Sequence, residues 1–528
     1  MGEKGIQNLN PIMNRSTNLK ELRESDIWDI VIIGGGASGL GAAVDAAKRG
    51  YKTLLLEKND FAKGTSSRST KLVHGGVRYL QNGDISLVIE ALKERGIMKR
   101  NAPQLVKDMS FVIPFYDWWN SPFYGLGLKV YDMMAGNMGL GPSTLLNKKE
   151  TVKLINNVKQ EGLRGGVIYH DGQFDDSRMA ITLALTASNL EATLINYIEV
   201  KGLIKENDLI TGLEVLDRES GEKFTIKTKV VINATGVFSD QIVKMDQPEA
   251  RPMIRPSQGV HLVLERAFLD GPHAIMIPHT SDGRVLFAVP WHDHVVVGTT
   301  DTPIDHADEE PKALEEEVEF ILNNAAQYMT KKPKREDVKS VFAGLRPLAA
   351  QQGDSTQTKE VSRHHKVNVS TSGLISVLGG KWTTYRKMGE DTINTASVVG
   401  GLKEQKCKTK KLLLHGYDEN TDINDPLHVY GADRQKIISM GKPEDNDSLS
   451  NKFYISKNLI LWAIEHEMAI HIEDVLARRV RCLFLDAKET LRIAPEVAEI
   501  MAKALQEDSQ WIARELTEFK TITQNYIL

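Results

Sequence analysis

The chain has 528 residues, 41% of them apolar and 26% charged, with 66 Lys and Arg against 70 Asp and Glu. That balance excludes a disordered or collagen-like chain, supplies material for about three to four domain-sized units, and gives no global basic footprint for nucleic acid. Two cysteines, Cys407 and Cys482, exclude a disulfide framework, a Cys-ligated iron–sulfur cluster and a four-Cys zinc site, and scarce cysteine leans towards a reducing compartment.

The first 26 residues are polar and mixed in charge, with no apolar h-region, and read as a loose leader. Order begins at Asp29-Ile-Val-Ile-Ile33, a short apolar run suited to a parallel strand buried on both faces. Gly34-Gly-Gly-Ala-Ser-Gly39 follows, then an alanine-rich helical stretch to Arg49, then a second strand at Thr53–Leu56 that ends on Glu57. The spacing is G-x-G-x-x-G. Gly34 permits the tight turn, Gly36 lets the backbone approach a pyrophosphate, and Gly39 lets helix pack on strand. Ala37 and Ser38 open the helix whose N-terminus faces that anion. Glu57 stands where an acid accepts ribose hydroxyls, so FAD or NAD is favoured over NADP.

The next motif, Gly64-Thr-Ser-Ser-Arg-Ser-Thr-Lys-Leu-Val-His-Gly-Gly-Val-Arg-Tyr-Leu80, reads by composition as a polar loop entering a helix. Far downstream, Lys229–Gly236 is a strand ending in Asn-Ala-Thr-Gly, and Gly373–Arg386 is a strand running through Gly-Gly into a helix. These segments resemble the FAD-dependent glycerol-3-phosphate dehydrogenases of the D-amino-acid-oxidase-like superfamily. The resemblance rests on Gly34–Gly39, Thr65–Leu80, Asn233–Gly236, Pro290-Trp291, Val297–Asp301, Gly344–Leu348 and Gly379–Arg386, in the family's order, and covers residues 27–395.

The resemblance implies an α/β fold: a Rossmann-like FAD domain, an interleaved antiparallel-sheet substrate domain and a helical C-terminal domain. Its expected boundaries are 27–80, 165–240 and 341–398 for the FAD domain, 81–164 and 241–340 for the substrate domain, and 399–528 for the last. Bottom-up patterning agrees: short strands separated by turns run from Thr193 to Ile232, alternation recurs from Gly259 to Thr300, and strand signals fade after Gly401. The resemblance also implies that FAD lies extended over Gly34, Gly36, Ala37, Ser38, Gly39, Glu57 and Lys58, and over Thr65, Ser66, Ser67, Ala234, Thr235 and Gly236. Val200 backs the adenine, and the ring lies near His74, Gly75, Gly76, Gly379, Gly380, Lys381 and Thr383.

The substrate implied is glycerol 3-phosphate, whose near-dianionic phosphate needs fixed cations; arginine suits this because its planar fork donates bidentately. The family places basic residues at Arg78, Arg346, Arg363 and Lys381, with His261 nearby. Arg346 and Lys381 stand among small or apolar residues, a setting that suggests a charge held for a ligand. Oxidising a secondary alcohol requires hydride loss to flavin and proton loss from oxygen. His261 ranks first as base near neutral pH, Arg346 or Lys381 stabilises a developing alkoxide, and His74 is a flavin contact.

No run approaches the roughly 20 apolar residues of a spanning helix. Phe111–Leu146 concentrates aromatics (Phe111, Phe115, Tyr116, Trp118, Trp119, Phe123, Tyr124, Tyr131), which suits either a core helix pair or an interfacial membrane surface. A family passing electrons to membrane quinone favours the surface, hence a peripheral enzyme on the inner face of the cytoplasmic membrane; a homodimer is left open. No metal is expected: Ile423 and Val429 stand where a calcium hand needs Gly and Glu. Two alternatives remain, an oxidase passing electrons to oxygen and a non-catalytic binding module on the same fold.

Overall fold

Strand β1 (Trp28–Ile33) is buried along nearly its whole length, as an apolar run covered on both faces must be. The computed structural model describes residues 13–76, 84–117, 120–350 and 364–528, without the side chains of 120–126 and 137. In it, β1 pairs in parallel with β2 (Thr53–Leu56) and β10 (Lys223–Asn233), which in turn pair with β7 (Thr193–Ile195) and β18 (Ile375–Leu378). An antiparallel edge strand, β17 (Lys366–Val369), closes one side. Helices Ala37–Arg49, Asp176–Asn189 and Tyr385–Val399 pack with this parallel sheet in one apolar core.

The strand read at Lys229–Gly236 begins earlier, at Lys223, and ends at Asn233. The first half of β10 pairs with a hairpin of β8 (Ile198–Glu206) and β9 (Leu209–Asp217), and its second half runs beside β1. The expected leader is also corrected from Met13 onward. Arg15–Glu24 is a helix whose Leu19 and Leu22 are buried with Trp28 and Ile195, and Arg15 pairs with Asp217 at 2.6 Å. Its apolar positions are three apart, enough to bury one narrow face. Residues 1–12 lie outside the described set.

The second sheet is antiparallel apart from one pair. It comprises β3 (Leu72–Val73), β4 (Val106–Phe115), β5 (Thr144–Asn147), β6 (Gly165–Phe174), β11 (Ile254–Glu265), β12 (Ala274–Ile277), β13 (Leu286–Trp291), β14 (His294–Gly298), β15 (Thr302–Pro303) and β16 (Val338–Ala349). The spatial order is β15-β11-β14-β13-β12-β4-β6-β3, with β16 on β11 and β5 on β6; β4 and β12 run parallel. Sheet membership departs from the expected boundaries. Those boundaries give β3, β6 and most of β16 to the dinucleotide unit, yet all three strands hydrogen-bond into the substrate sheet. β16 pairs with β11 along its whole length, which sets Arg346 opposite Ser257 and Phe342 opposite His261.

After Leu378 the described chain forms helices, chiefly Lys457–Glu467, Ala487–Leu505 and Ser509–Thr523. Their core takes in Val263, Trp291, Val296 and Phe342 of the substrate sheet. Of the aromatic stretch, Phe111, Phe115 and Tyr131 are buried, whereas Val130, Met133 and Leu145 are exposed. Trp118, Trp119, Phe123 and Tyr124 fall outside the described side chains. Among the described residues, no helix is long and apolar enough to cross a membrane.

Candidate active site

A cavity of about 400 Å³ runs from the C-terminal ends of β1 and β2 to the junction of the two sheets. At its first end the glycine motif behaves as the sequence demands. Gly34 has φ +110°, a left-handed conformation that other residues resist, and its N–H donates to the Leu56 carbonyl at 2.8 Å. A Cβ on Gly39 would run into the Gly34 carbonyl oxygen, so helix and turn touch only because position 39 is glycine. Gly36, Ala37 and Ser38 line the cavity at the helix N-terminus, and the Ala37 N–H donates to Ser66 Oγ at 2.9 Å. The helix dipole there suits an anion.

Glu57 lines the same end. Its Oε2 accepts the Gly35 N–H at 2.6 Å and its Oε1 the Asn59 N–H at 2.8 Å, which fixes the carboxylate's direction. Burial raises its pKa against the pull of those two bonds. Lys58, Thr65, Ser66, His74, Val200, Ala234, Thr235, Gly236, Gly379, Gly380, Lys381 and Thr383 also line the cavity. Four expected contacts do not. Gly39 is behind the turn, and the buried Ser67 is at 3.5 Å from the Gly64 carbonyl. Gly75 donates its N–H to Tyr131 Oη at 2.9 Å, on the substrate-sheet side, and Gly76 follows it in the chain.

The far end joins both sheets. Trp382 Nε1 donates to the Ser66 carbonyl at 2.9 Å, and Thr65 Oγ1 to the Leu345 carbonyl at 2.6 Å, so the hydroxyl-rich loop is sewn to β16 and to the Gly379–Gly380 turn. Arg346 is cradled rather than loose. Its Nη2 reaches Thr299 Oγ1 at 3.0 Å and the Thr300 carbonyl at 2.8 Å, and its Nη1 faces Asp301 at 3.3 Å. A Cβ on Gly259 would overlap this guanidinium, which explains a glycine in the middle of a buried strand. Lys381 follows two glycines at φ +70° and +89°, a turn that lets its side chain share the cavity with Arg346. Arg78 and Arg363 lie outside the described residues.

His261 is buried on β11 and stacks on Phe342 with ring centroids 4.9 Å apart. Its Nε2 is 2.9 Å from Thr70 Oγ1, and both residues line the cavity. Burial, reinforced by the Lys71 ammonium and the Arg346 guanidinium, holds the imidazole well below the usual histidine range. The imidazole is thereby kept uncharged, with a lone pair to accept a proton.

The groups behind His261 escape a reading of the sequence. Thr70 is its hydrogen-bond partner, and Lys71, fully buried, bonds Asp176 Oδ2 and the Ser67 carbonyl, both at 2.7 Å. Arg481 from the C-terminal helices reaches Asp176 Oδ1 at 3.0 Å. A signal exists for Lys71: a cation between a threonine and the apolar Leu72-Val73, the same kind of setting that singles out Arg346 and Lys381.

Comparison with known proteins agrees with this geometry. Residues 29–386 match the FAD dependent oxidoreductase family, and residues 377–511 match the C-terminal domain of alpha-glycerophosphate oxidase. The fold and site thus define an FAD-dependent oxidoreductase with a D-amino-acid-oxidase-like core and a helical C-terminal domain. The mitochondrial glycerol-3-phosphate dehydrogenase of Schizosaccharomyces pombe is 37% identical over 94% of this chain and 87% of its own length. The human mitochondrial enzyme is 37% identical over 94% of this chain and 73% of its own. The crystal structure of glycerol-3-phosphate dehydrogenase from Bacillus halodurans, complexed with FAD, superimposes with a TM-score of 0.80 at 28% identity over 98% of both chains. The chain belongs to the FAD-dependent glycerol-3-phosphate dehydrogenase family. Glycerophosphate oxidase from Mycoplasma pneumoniae shares the fold, at 17% identity and a TM-score of 0.57.

Proposed function

We propose that this protein oxidises sn-glycerol 3-phosphate to dihydroxyacetone phosphate and passes the electrons to membrane quinone. One observation carries the reading. A cavity whose first end is a dinucleotide cradle terminates at two cations, Arg346 and Lys381, beside an uncharged imidazole. The residues fit FAD: the turn at Gly34–Ser38 admits a pyrophosphate only because glycines leave it open, Glu57 is oriented at the ribose position, and Gly379–Gly380 gives flat access to a ring. Val200, Lys58, Thr65, Ser66, Ala234, Thr235, Gly236, His74 and Thr383 would complete the contact, with Gly39, Ser67, Gly75 and Gly76 supporting from behind.

Bound FAD supplies the two-electron acceptor. The chain's own part is to bind, orient and take a proton. Arg346 and Lys381 hold the phosphate, with Arg78 and Arg363 assigned the same task by family resemblance. The secondary alcohol then points at His261, whose Nε2 takes the hydroxyl proton directly or through Thr70 as the carbon-bound hydrogen leaves with its electron pair. Carbon and oxygen thereby form the ketone, and Lys381 or Arg346 steadies the negative charge developing on oxygen. Exposed Val130, Met133 and Leu145, with Ile85 and Ile89 on the helix Ile85–Asn101 that packs beside them, support peripheral contact with a bilayer.

Anaerobic addition of glycerol 3-phosphate to the FAD-loaded protein is expected to bleach the flavin absorbance, with faster reoxidation by a soluble quinone than by air. Failure to bleach overturns the substrate. Bleaching followed by rapid reoxidation in air with stoichiometric peroxide overturns the quinone assignment in favour of an oxidase.

A further inference from the structure

Lys71 is a buried basic group that stands behind the cavity lining. It sits at 0% exposure inside a box of three aromatic rings, Trp291 of β13, Phe342 of β16 and Phe484 of the short helix Cys482–Leu485, each 5.1–5.3 Å from its Nζ. One ring of that box, Phe342, is the ring on which His261 stacks, and the residue before Lys71 is the hydroxyl partner of His261. The two basic groups are therefore neighbours across one phenyl ring and one peptide unit. The active-site reaction as proposed above uses only one of them.

The charged surroundings of the pair are unequal. Facing Lys71 are Asp176, in contact at 2.7 Å, Asp175 beside it, and Arg481, whose Nη2 also holds Asp176. Facing His261 are two cations, Lys71 and Arg346, and the neutral Thr70; its buried Nδ1 has no hydrogen-bond partner among the described residues. A proton entering this region thus finds a carboxylate at Lys71 and only positive neighbours at His261. Once Lys71 is charged, a second proton at His261 is opposed by repulsion through a water-free interior.

We infer that Lys71 is a positioning residue that takes up the proton His261 would otherwise bind at mildly acidic pH, and so keeps the His261 lone pair available to the substrate. Burial pushes the Lys71 ammonium down to about 7, with Asp176 opposing and Arg481 adding, which lets it change charge in the range where the protection matters. Arg481 and Phe484 both come from the C-terminal helical region, so docking of that region completes the device. The inference rests on the reading of His261 as proton acceptor, and its test separates the two.

The test is histidine C2 hydrogen–deuterium exchange, read by mass spectrometry on the FAD-loaded enzyme, which reports each imidazole's protonation without turnover. In the wild type, His261 is expected to titrate well below the ordinary value of about 6.5. Lys71→Met is expected to raise that midpoint by about one unit or more, and Lys71→Arg to restore it. The acid limb of kcat/KM for flavin reduction should move upward and back in step. A wild-type His261 that titrates near its ordinary value overturns the inference, even if Lys71→Met does not fold. So does a midpoint unchanged in a folded Lys71→Met protein. A midpoint that moves while the kinetic limb stays put upholds Lys71's effect and removes His261 from proton acceptance.

Discussion

Two clusters of arginines and lysines among the described residues differ in how far they face open volume. Where the C-terminal helices dock, Arg478 spans Asp60, Glu473 and Asp474, while Arg479 forks onto both oxygens of Asp60 at 2.7 and 2.9 Å. Lys63 and Arg68 add pairs to Glu473 and Glu310, and Arg178 binds Glu467. Every cation there meets a carboxylate inside the protein. In the cavity, Arg346 faces Asp301 at 3.3 Å and shares the open volume with Lys381 and the uncharged His261. A balanced buried network holds structure together; cations facing open volume suit an incoming anion.

The largest effect that can break this contrast is expected at Asp60. Its carboxyl is fully buried, and although burial opposes its charge, Arg479 and Arg478 hold its pKa below the usual carboxylate range. Asp60→Asn leaves two guanidiniums sharing one neutral amide and should cost about 3–5 kcal/mol of stability. Thermal unfolding of the FAD-loaded protein reads this as a lowered Tm. The sign with pH follows from the depressed value: the stabilisation is present above the unfolded carboxyl pKa and is lost as pH falls through the folded one. A Tm unchanged by Asp60→Asn would mean the network carries no structural load.

Arg346→Met is the complementary change and should act on catalysis instead. Loss of transition-state binding is expected at about 2–5 kcal/mol in kcat/KM for glycerol 3-phosphate. Stability should change little, because Asp301, 3.3 Å from the guanidinium, keeps its hydrogen bond from Ser257, and the other bonds go to main-chain carbonyls and a threonine hydroxyl at the cavity edge. Unchanged kinetics would take Arg346 out of the substrate site, and a large loss of Tm would make it another member of the structural network.

The same contrast explains what is legible in the sequence. The dinucleotide end is legible because its chemistry is local: a turn at Gly34, a close approach at Gly39 and an acid at Glu57 lie within one strand–helix–strand unit. Arg346 and Lys381 are legible as charges in apolar or small-residue surroundings. The partners of Lys71 and Arg478 are not, since Asp176 is 105 residues from the one and Asp60 is 418 from the other. No spacing rule connects such positions; only the docking of the C-terminal helices on the substrate sheet does. Sheet membership is hard to read for a similar reason. An alternating strand at 338–349 fits either sheet by pattern, and its register on β11 decides the matter.

Two histidines sharpen the comparison at the smallest scale. His261, between cations, is kept uncharged; His471 is kept charged by carboxylates. Its Nδ1 lies 2.7 Å from Glu515 on the helix Ser509–Thr523, and its Nε2 lies 3.3 Å from Glu219 at the turn between β9 and β10. Burial opposes that charge, but Glu219 and Glu515 outweigh it and lift the pKa to about 11. A raised pKa stabilises fully below the unfolded value of about 6.5 and loses that contribution as pH climbs through the folded one. His471→Gln keeps a polar group but no charge, and should cost about 1–3 kcal/mol at neutral pH, the scale of hydrogen bonds to charged groups. The gap between wild type and variant in Tm should be widest below neutrality and narrow steadily between about pH 7 and 11. A gap constant with pH would show that His471 holds the C-terminal helices to the hairpin by packing on Tyr197 alone, 4.8 Å away, and that charge balance is not what distinguishes the docking interface from the cavity.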